Sequence, residues 1–190
     1  MSEYAIWRRL DTPGHDAASL TAAGEGWLLR GTAVFAQAGG PACVHYSVEL
    51  DFGWKTIRGR VEGFAGGRTL DHLITRAAEG WTLDGVLVPG LEALCDLDYG
   101  FTPATNLQQL RRVAIGVGET AEIRVVWFDV GEPTLVELPQ RYERRSESAY
   151  WYESPSGPYE ALLELAPNGF VRRYPGLWVM EEGATGSLGR

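Results

Sequence analysis

The feature that most constrains this chain is a two-residue alternation of apolar and polar side chains, broken repeatedly by glycine-rich turns. Successive side chains of an extended strand point to opposite faces, so such segments build sheets with one buried face. In Val44–Leu50, Val44, Tyr46, Val48 and Leu50 fall on one side and His45, Ser47 and Glu49 on the other. In Lys55–Glu62, Ile57 and Val61 oppose Arg58, Arg60 and Glu62; in Tyr159–Leu165, Ala161, Leu163 and Leu165 oppose Glu160 and Glu164. Ile123–Val130 is apolar on both faces, which predicts a strand covered on both sides. Gly39-Gly40-Pro41, Gly66-Gly67, Asp84-Gly85 and Asn168-Gly169 punctuate these runs. Asn-Gly and Asp-Gly supply the positive φ angles of tight hairpins, and Asn168-Gly169 is the clearest of them. Helix signals are sparse: Thr102-Pro103 predicts a short helix running to Leu110, and Leu91–Leu94 a single turn. The reading is an all-β single domain over residues 1–180, with many short antiparallel strands and at most one or two short helices. The Gly- and Glu-rich residues 181–190 are expected to be a disordered tail.

Charge and cysteine usage narrow the function. The net charge of −8 argues against a nucleic-acid partner, since a phosphate-binding surface needs a concentrated cationic field. Lys55 is the only lysine among 17 basic residues. Cys43 and Cys95 form no Cys-x-x-Cys or Cys/His cluster, and two reduced thiols are expected. No apolar run approaches the roughly 18 residues of a membrane span. The opening MSEYAIWRRLDTPG holds no signal-like apolar core, so a cytoplasmic location is expected.

No nucleophile elbow, P-loop, zinc-protease or dinucleotide motif is present, and His15, His45 and His72 lack metal-ligand spacing. No catalytic residue, metal or cofactor is assigned. Asp96 and Asp98 stand two apart and share a face if extended; two such carboxylates repel unless neutralised. They can serve as an acid/base or metal pair, or be paired with Arg111 or Arg112. Gln140, Tyr142 and Arg144 share a face of a polar strand, either holding a head group or finishing a sheet edge. The 7 tryptophans and 8 tyrosines are core residues by default, yet a sheet this aromatic can also enclose an apolar ligand.

A set of landmarks resembles a known family. They run from Trp7-Arg8-Arg9 through Tyr46-x-Val48, Asp51-x-x-Trp54, Asp96-x-Asp98, Thr102–Asn106, Arg111-Arg112 and Gln140-Arg141-Tyr142 to Tyr150-Trp151-Tyr152 and Tyr174-Pro175-Gly176-Leu177-Trp178. Taken together they are similar to the bacterial "putative glycolipid-binding" family, over about residues 5 to 180. Two positions depart from its pattern: Leu107-Gln108-Gln109-Leu110 replaces a Leu-Pro-Ile stretch, and His15 replaces an acidic residue. The resemblance implies a spiral β-roll of about fifteen strands. It also implies a non-enzymatic protein whose roll encloses a glycolipid or another acyl-chain compound. On that reading Trp7, Trp54, Trp127 and Trp178 line the apolar part, and Asp96, Asp98, Arg111, Gln140 and Tyr142 meet the polar head. The alternatives are a structural or interaction module with a solid core, or a hydrolase-type enzyme built on Asp96, Asp98 and Arg111. The oligomeric state is left open.

Overall fold

The computed structural model describes residues 2–155, 157–183 and, for the backbone, 186–188. The first half of the chain is a run of hairpins: β1 (Ser2–Arg9), β2 (Gly14–Ala23), β3 (Gly26–Gln37), β4 (Gly40–Asp51), β5 (Thr56–Ala65), β6 (Arg68–Ala77), β7 (Gly80–Leu83) and β8 (Val86–Val88). A crossing segment carries β9 (Leu97–Tyr99) and the helix α1 (Asn106–Val113). The second half returns as β10 (Thr120–Phe128), β11 (Val136–Arg144), β12 (Ala149–Ser154), β13 (Tyr159–Leu165), β14 (Val171–Tyr174), β15 (Trp178–Met180) and β16 (Gly186–Leu188).

All strands join one sheet in the order β8-β7-β6-β5-β4-β3-β2-β1-β15-β14-β13-β12-β11-β10-β9, with β16 also on β1. Every pairing is antiparallel except β9 with β10. The path does not close, and β8 and β9 are its edges. The all-β expectation holds, with one helix among the described residues, although β2 to β6 run to 10–12 residues each. Within the expected tail, Gly186–Leu188 pair with Ser2–Tyr4; residues 184, 185, 189 and 190 lie outside the described residues.

The predicted alternation appears as burial. Val44, Tyr46, Val48 and Leu50 all face the core. Val125 and Val126 are both buried, so β10 is covered on both sides. One alternation fails: Ile57 is 44% exposed. Leu50 pairs with Thr56 while Glu49 pairs with Arg58, so Ile57 is the extra residue of a bulge and the face phase slips. The Asn168-Gly169 hairpin forms, with Gly169 at φ 84° and Gly169 N–H donating to Ala166 O at 2.8 Å.

The inside of the curled sheet is filled by the crossing segment. Every residue from 101 to 110 is buried, although half of them are polar. The helix starts later than the Thr102-Pro103 signal predicts. The Thr102 hydroxyl accepts Ala104 N–H at 3.0 Å and turns to Asp16, and the Thr105 hydroxyl turns to Asp98, so neither caps a helix N-terminus. Two glycines let tyrosines lie flat across the sheet. A Cβ on Gly31 would stand 2.3 Å from the Tyr46 hydroxyl oxygen, and one on Gly59 would stand 2.3 Å from that of Tyr99.

Candidate functional site

Strands β9 and β11, together with Thr105 and the start of α1, direct polar groups to one place. Asp98 on β9 is 7% exposed. The Thr105 hydroxyl donates to its Oδ1 at 2.5 Å and the Gln140 amide donates to its Oδ2 at 2.8 Å. A relay stands behind Gln140. The Tyr142 hydroxyl donates to Gln140 Oε1 at 3.2 Å, and itself accepts from Asn106 Nδ2 at 2.9 Å and Gln109 Nε2 at 3.0 Å. Every donor in the chain is oriented toward the carboxylate, which stabilises its ionised form. Burial outweighs those bonds, and together with the neighbouring Asp96 charge carries Asp98 up to about 6.

Asp96 is handled differently. Fully buried, it is gripped by Arg112, with Nε to Oδ1 at 2.8 Å and Nη2 to Oδ2 at 2.6 Å. This bidentate pair neutralises it. Arg111, the next residue on the helix, points elsewhere: it meets Glu3 at 2.6 Å and Asn168 O at 2.8 Å, and its guanidinium lies 4.8 Å from the Trp54 ring centroid. Asp96, Asp98 and Arg111 therefore do not assemble into one cluster.

Asp98 opens onto a cleft of about 420 Å³. The walls are Trp127, Leu138, Tyr152, Tyr159, Tyr174, Leu177 and Trp178, and the floor is Asp98, Tyr99, Thr102 and Asn106. This volume exceeds the roughly 300 Å³ at which small-molecule sites begin. The three wall tyrosines pack on one another, with centroids 5.4–6.1 Å apart. Burial pushes Tyr152 and Tyr159 up to about 12, so the walls are neutral phenols at physiological pH.

Of the residues expected to bind, Asp98, Trp127 and Trp178 line this cleft, and Gln140 and Tyr142 support its floor from behind. Trp7 is instead a core residue, its indole N–H donating to Val171 O at 2.6 Å and its ring edge-on to Phe170. Trp54 stacks on Trp27 at 4.8 Å, away from the cleft. The wall tyrosines and Asn106 were not among the expected binding residues. Tyr150 and Tyr152 alternate with Trp151 and Glu153, which is the pattern of an inward-facing aromatic pair.

A third buried carboxylate, this one also without a cation among the described residues, lies behind the floor. Asp16 on β2 accepts the Tyr46 hydroxyl at 2.9 Å and is bonded to the Thr102 hydroxyl, while Tyr46 and Thr102 are 3.0 Å from each other. Burial, only partly offset by these hydroxyls, pushes Asp16 up to about 7.

A larger hollow of about 720 Å³ lies on the outer face of β1 to β5. Within it Arg60 is paired with Glu62 at 3.2 Å and Asp71 at 2.5 Å, and Thr32 with His45 at 2.9 Å. It is an open sheet surface, whereas the cleft holds a carboxylate with no cation among the described residues lining it; the cleft is the stronger candidate site. Among the described residues no group of His, Cys, Asp or Glu is arranged to hold a metal.

An open all-β roll filled by a polar helix, with an aromatic cleft at one side, is thus the class that fold and site define. Residues 4–179 match the family described as "Putative glycolipid-binding", and the chain belongs to that family. The crystal structure of a DUF1089 family protein from Pseudomonas aeruginosa has the same fold, with a TM-score of 0.75 at 23% identity over 86% of this chain and 91% of that one. No curated protein matches.

Proposed function

We propose that this protein is a non-enzymatic binding protein whose cleft takes an amphipathic glycolipid-like ligand. The observation that carries the reading is the cleft itself, where aromatic walls meet a hydrogen-bonding floor organised around Asp98. Aromatic faces accept acyl chains and the apolar faces of sugar rings, and fixed acceptors orient hydroxyls. The family description supports the same ligand class. No helix is long and apolar enough to cross a membrane among the described residues. Cys43 and Cys95 are free thiols, which supports work in a reducing cytoplasm.

Trp127 and Trp178 line the cleft and make their fluorescence a direct reporter. Octyl β-glucoside added to delipidated protein is expected to shift and enhance tryptophan emission with saturation. Ser154→Trp, which fills the cleft from its β12 wall, is expected to abolish the response while leaving the far-ultraviolet circular dichroism unchanged. A wild-type protein that is a clean apo mass from bacteria and gives no response to alkyl glycosides overturns this function.

A further inference from the structure

The charges around the cleft are unusual for a lipid-handling site. Among the described residues Asp98 is the one charged side chain in its lining, and no Arg, Lys or His joins it. Arg9 stands against one wall residue, its guanidinium 5.2 Å from the Trp178 ring centroid. That guanidinium is already paired with Asp11 at 2.7 Å. Of the carboxyl groups behind the floor, Asp96 is neutralised by Arg112 and Asp16 is bonded to Tyr46 and Thr102, and neither lines the cleft.

The floor is also rich in acceptors. Asn106 is 4% exposed. Its amide nitrogen is committed to Tyr142, and among the described residues its Oδ1 carries no hydrogen bond. Asp98 uses one bond on each oxygen, and a carboxylate has roughly four lone-pair sites. A ligand that presents donors completes both groups; one that presents an anion meets two acceptors in a poorly solvated pocket with no compensating cation.

Building on the reading above, we propose that the cleft selects head groups that donate hydrogen bonds and carry no negative charge, and that it rejects acidic ones. Phosphate, sulfate and uronate heads are excluded by Asp98; neutral sugars are accepted through Asp98 and Asn106.

The test is a titration of the full chain at pH 7.5 with two amphiphiles of equal chain length, octyl β-glucoside and octyl β-glucuronide, followed by calorimetry and tryptophan fluorescence. The glucoside is expected to bind at least tenfold more tightly. Asp98→Asn is expected to narrow that gap to under threefold by admitting the glucuronide. Leu138→Lys, which places a cation in the cleft wall, is expected to raise glucuronide affinity at least tenfold. Equal or tighter glucuronide binding by the wild type overturns the inference and leaves the binding function standing. Failure of both amphiphiles overturns the binding function and this inference with it.

Discussion

Asp16 gives the sharpest test of the physical picture. Three oxygens, from Asp16, Tyr46 and Thr102, stand in mutual contact, and Thr102 also accepts Ala104 N–H. If Asp16 is ionised, two hydroxyl protons must serve three contacts. If it is neutral, Asp16 donates to Thr102, Thr102 to Tyr46, and Tyr46 back to Asp16, and every contact holds a proton. Burial carries the carboxyl from 3.8 to about 7. Between those values the folded state retains a proton that the unfolded chain has released, so stability falls as pH rises. At about 1.4 kcal/mol per pH unit the loss is roughly 4 kcal/mol by pH 8. Asp98, carried up to about 6, adds to the fall in the same direction. Asp16→Asn keeps an acceptor for Tyr46 and a donor for Thr102, and leaves one amide N–H without a partner at about 1–2 kcal/mol. The variant should therefore be slightly less stable than wild type at pH 5 and more stable at pH 8 by about 2 kcal/mol, which for a chain of this size is roughly 4–8 °C in Tm. Urea and thermal unfolding at pH 5, 6.5 and 8 measure this. A wild-type stability that is flat from pH 5 to 8, or an Asp16→Asn variant weakened equally at both ends, refutes the reasoning.

Other outcomes follow from the same contacts. Arg112→Ala leaves Asp96 as an unpaired buried carboxylate and should cost about 3 kcal/mol or more in urea unfolding. Gly31→Ala places a methyl group against Tyr46 and should cost about 1–3 kcal/mol while weakening the pH dependence set by Asp16, both read from the same unfolding series. The preference for octyl glucoside over octyl glucuronide should narrow below about pH 6, where Asp98 gains its proton; calorimetry at pH 5 and 8 checks it.

Much of the fold was legible because strand alternation reports burial directly, as at Val44–Leu50. It failed at Ile57 because a bulge inserts a residue without leaving a sequence mark. The helix start was misplaced because Thr102 and Thr105, both good caps in isolation, bond to Asp16 and Asp98 instead, partners far away or on another strand. At the site, the sequence grouped Asp98 with Gln140, Tyr142, Trp127 and Trp178, but did not mark Thr105, Asn106 or the wall tyrosines Tyr152, Tyr159 and Tyr174 as part of it. Arg111 and Arg112 are equivalent on paper; helix geometry turns one to Asp96 and the other to Glu3. Asp16 carried a signal of its own, being in phase with the inward-facing Ala18 and Leu20 of β2.

Strand β1 has a consequence beyond architecture. It is the seam at which the two halves of the sheet meet, with β2 on one side and β15 on the other, so that Trp7 lies opposite Met180. The hairpins β2 to β8 join neighbours in sequence and can form as soon as they are made. The seam pairs residues from opposite ends of the chain, and such contacts close late because of their loop entropy. While the chain is being synthesised, β1 carries an unpaired edge and the Trp7 indole lacks its acceptor on Val171. That interval is when a nascent chain is most open to pairing with a neighbour. Joining the termini and opening the chain at a turn in the β2–β8 hairpins would make the seam a local contact, and should speed refolding without altering the cleft.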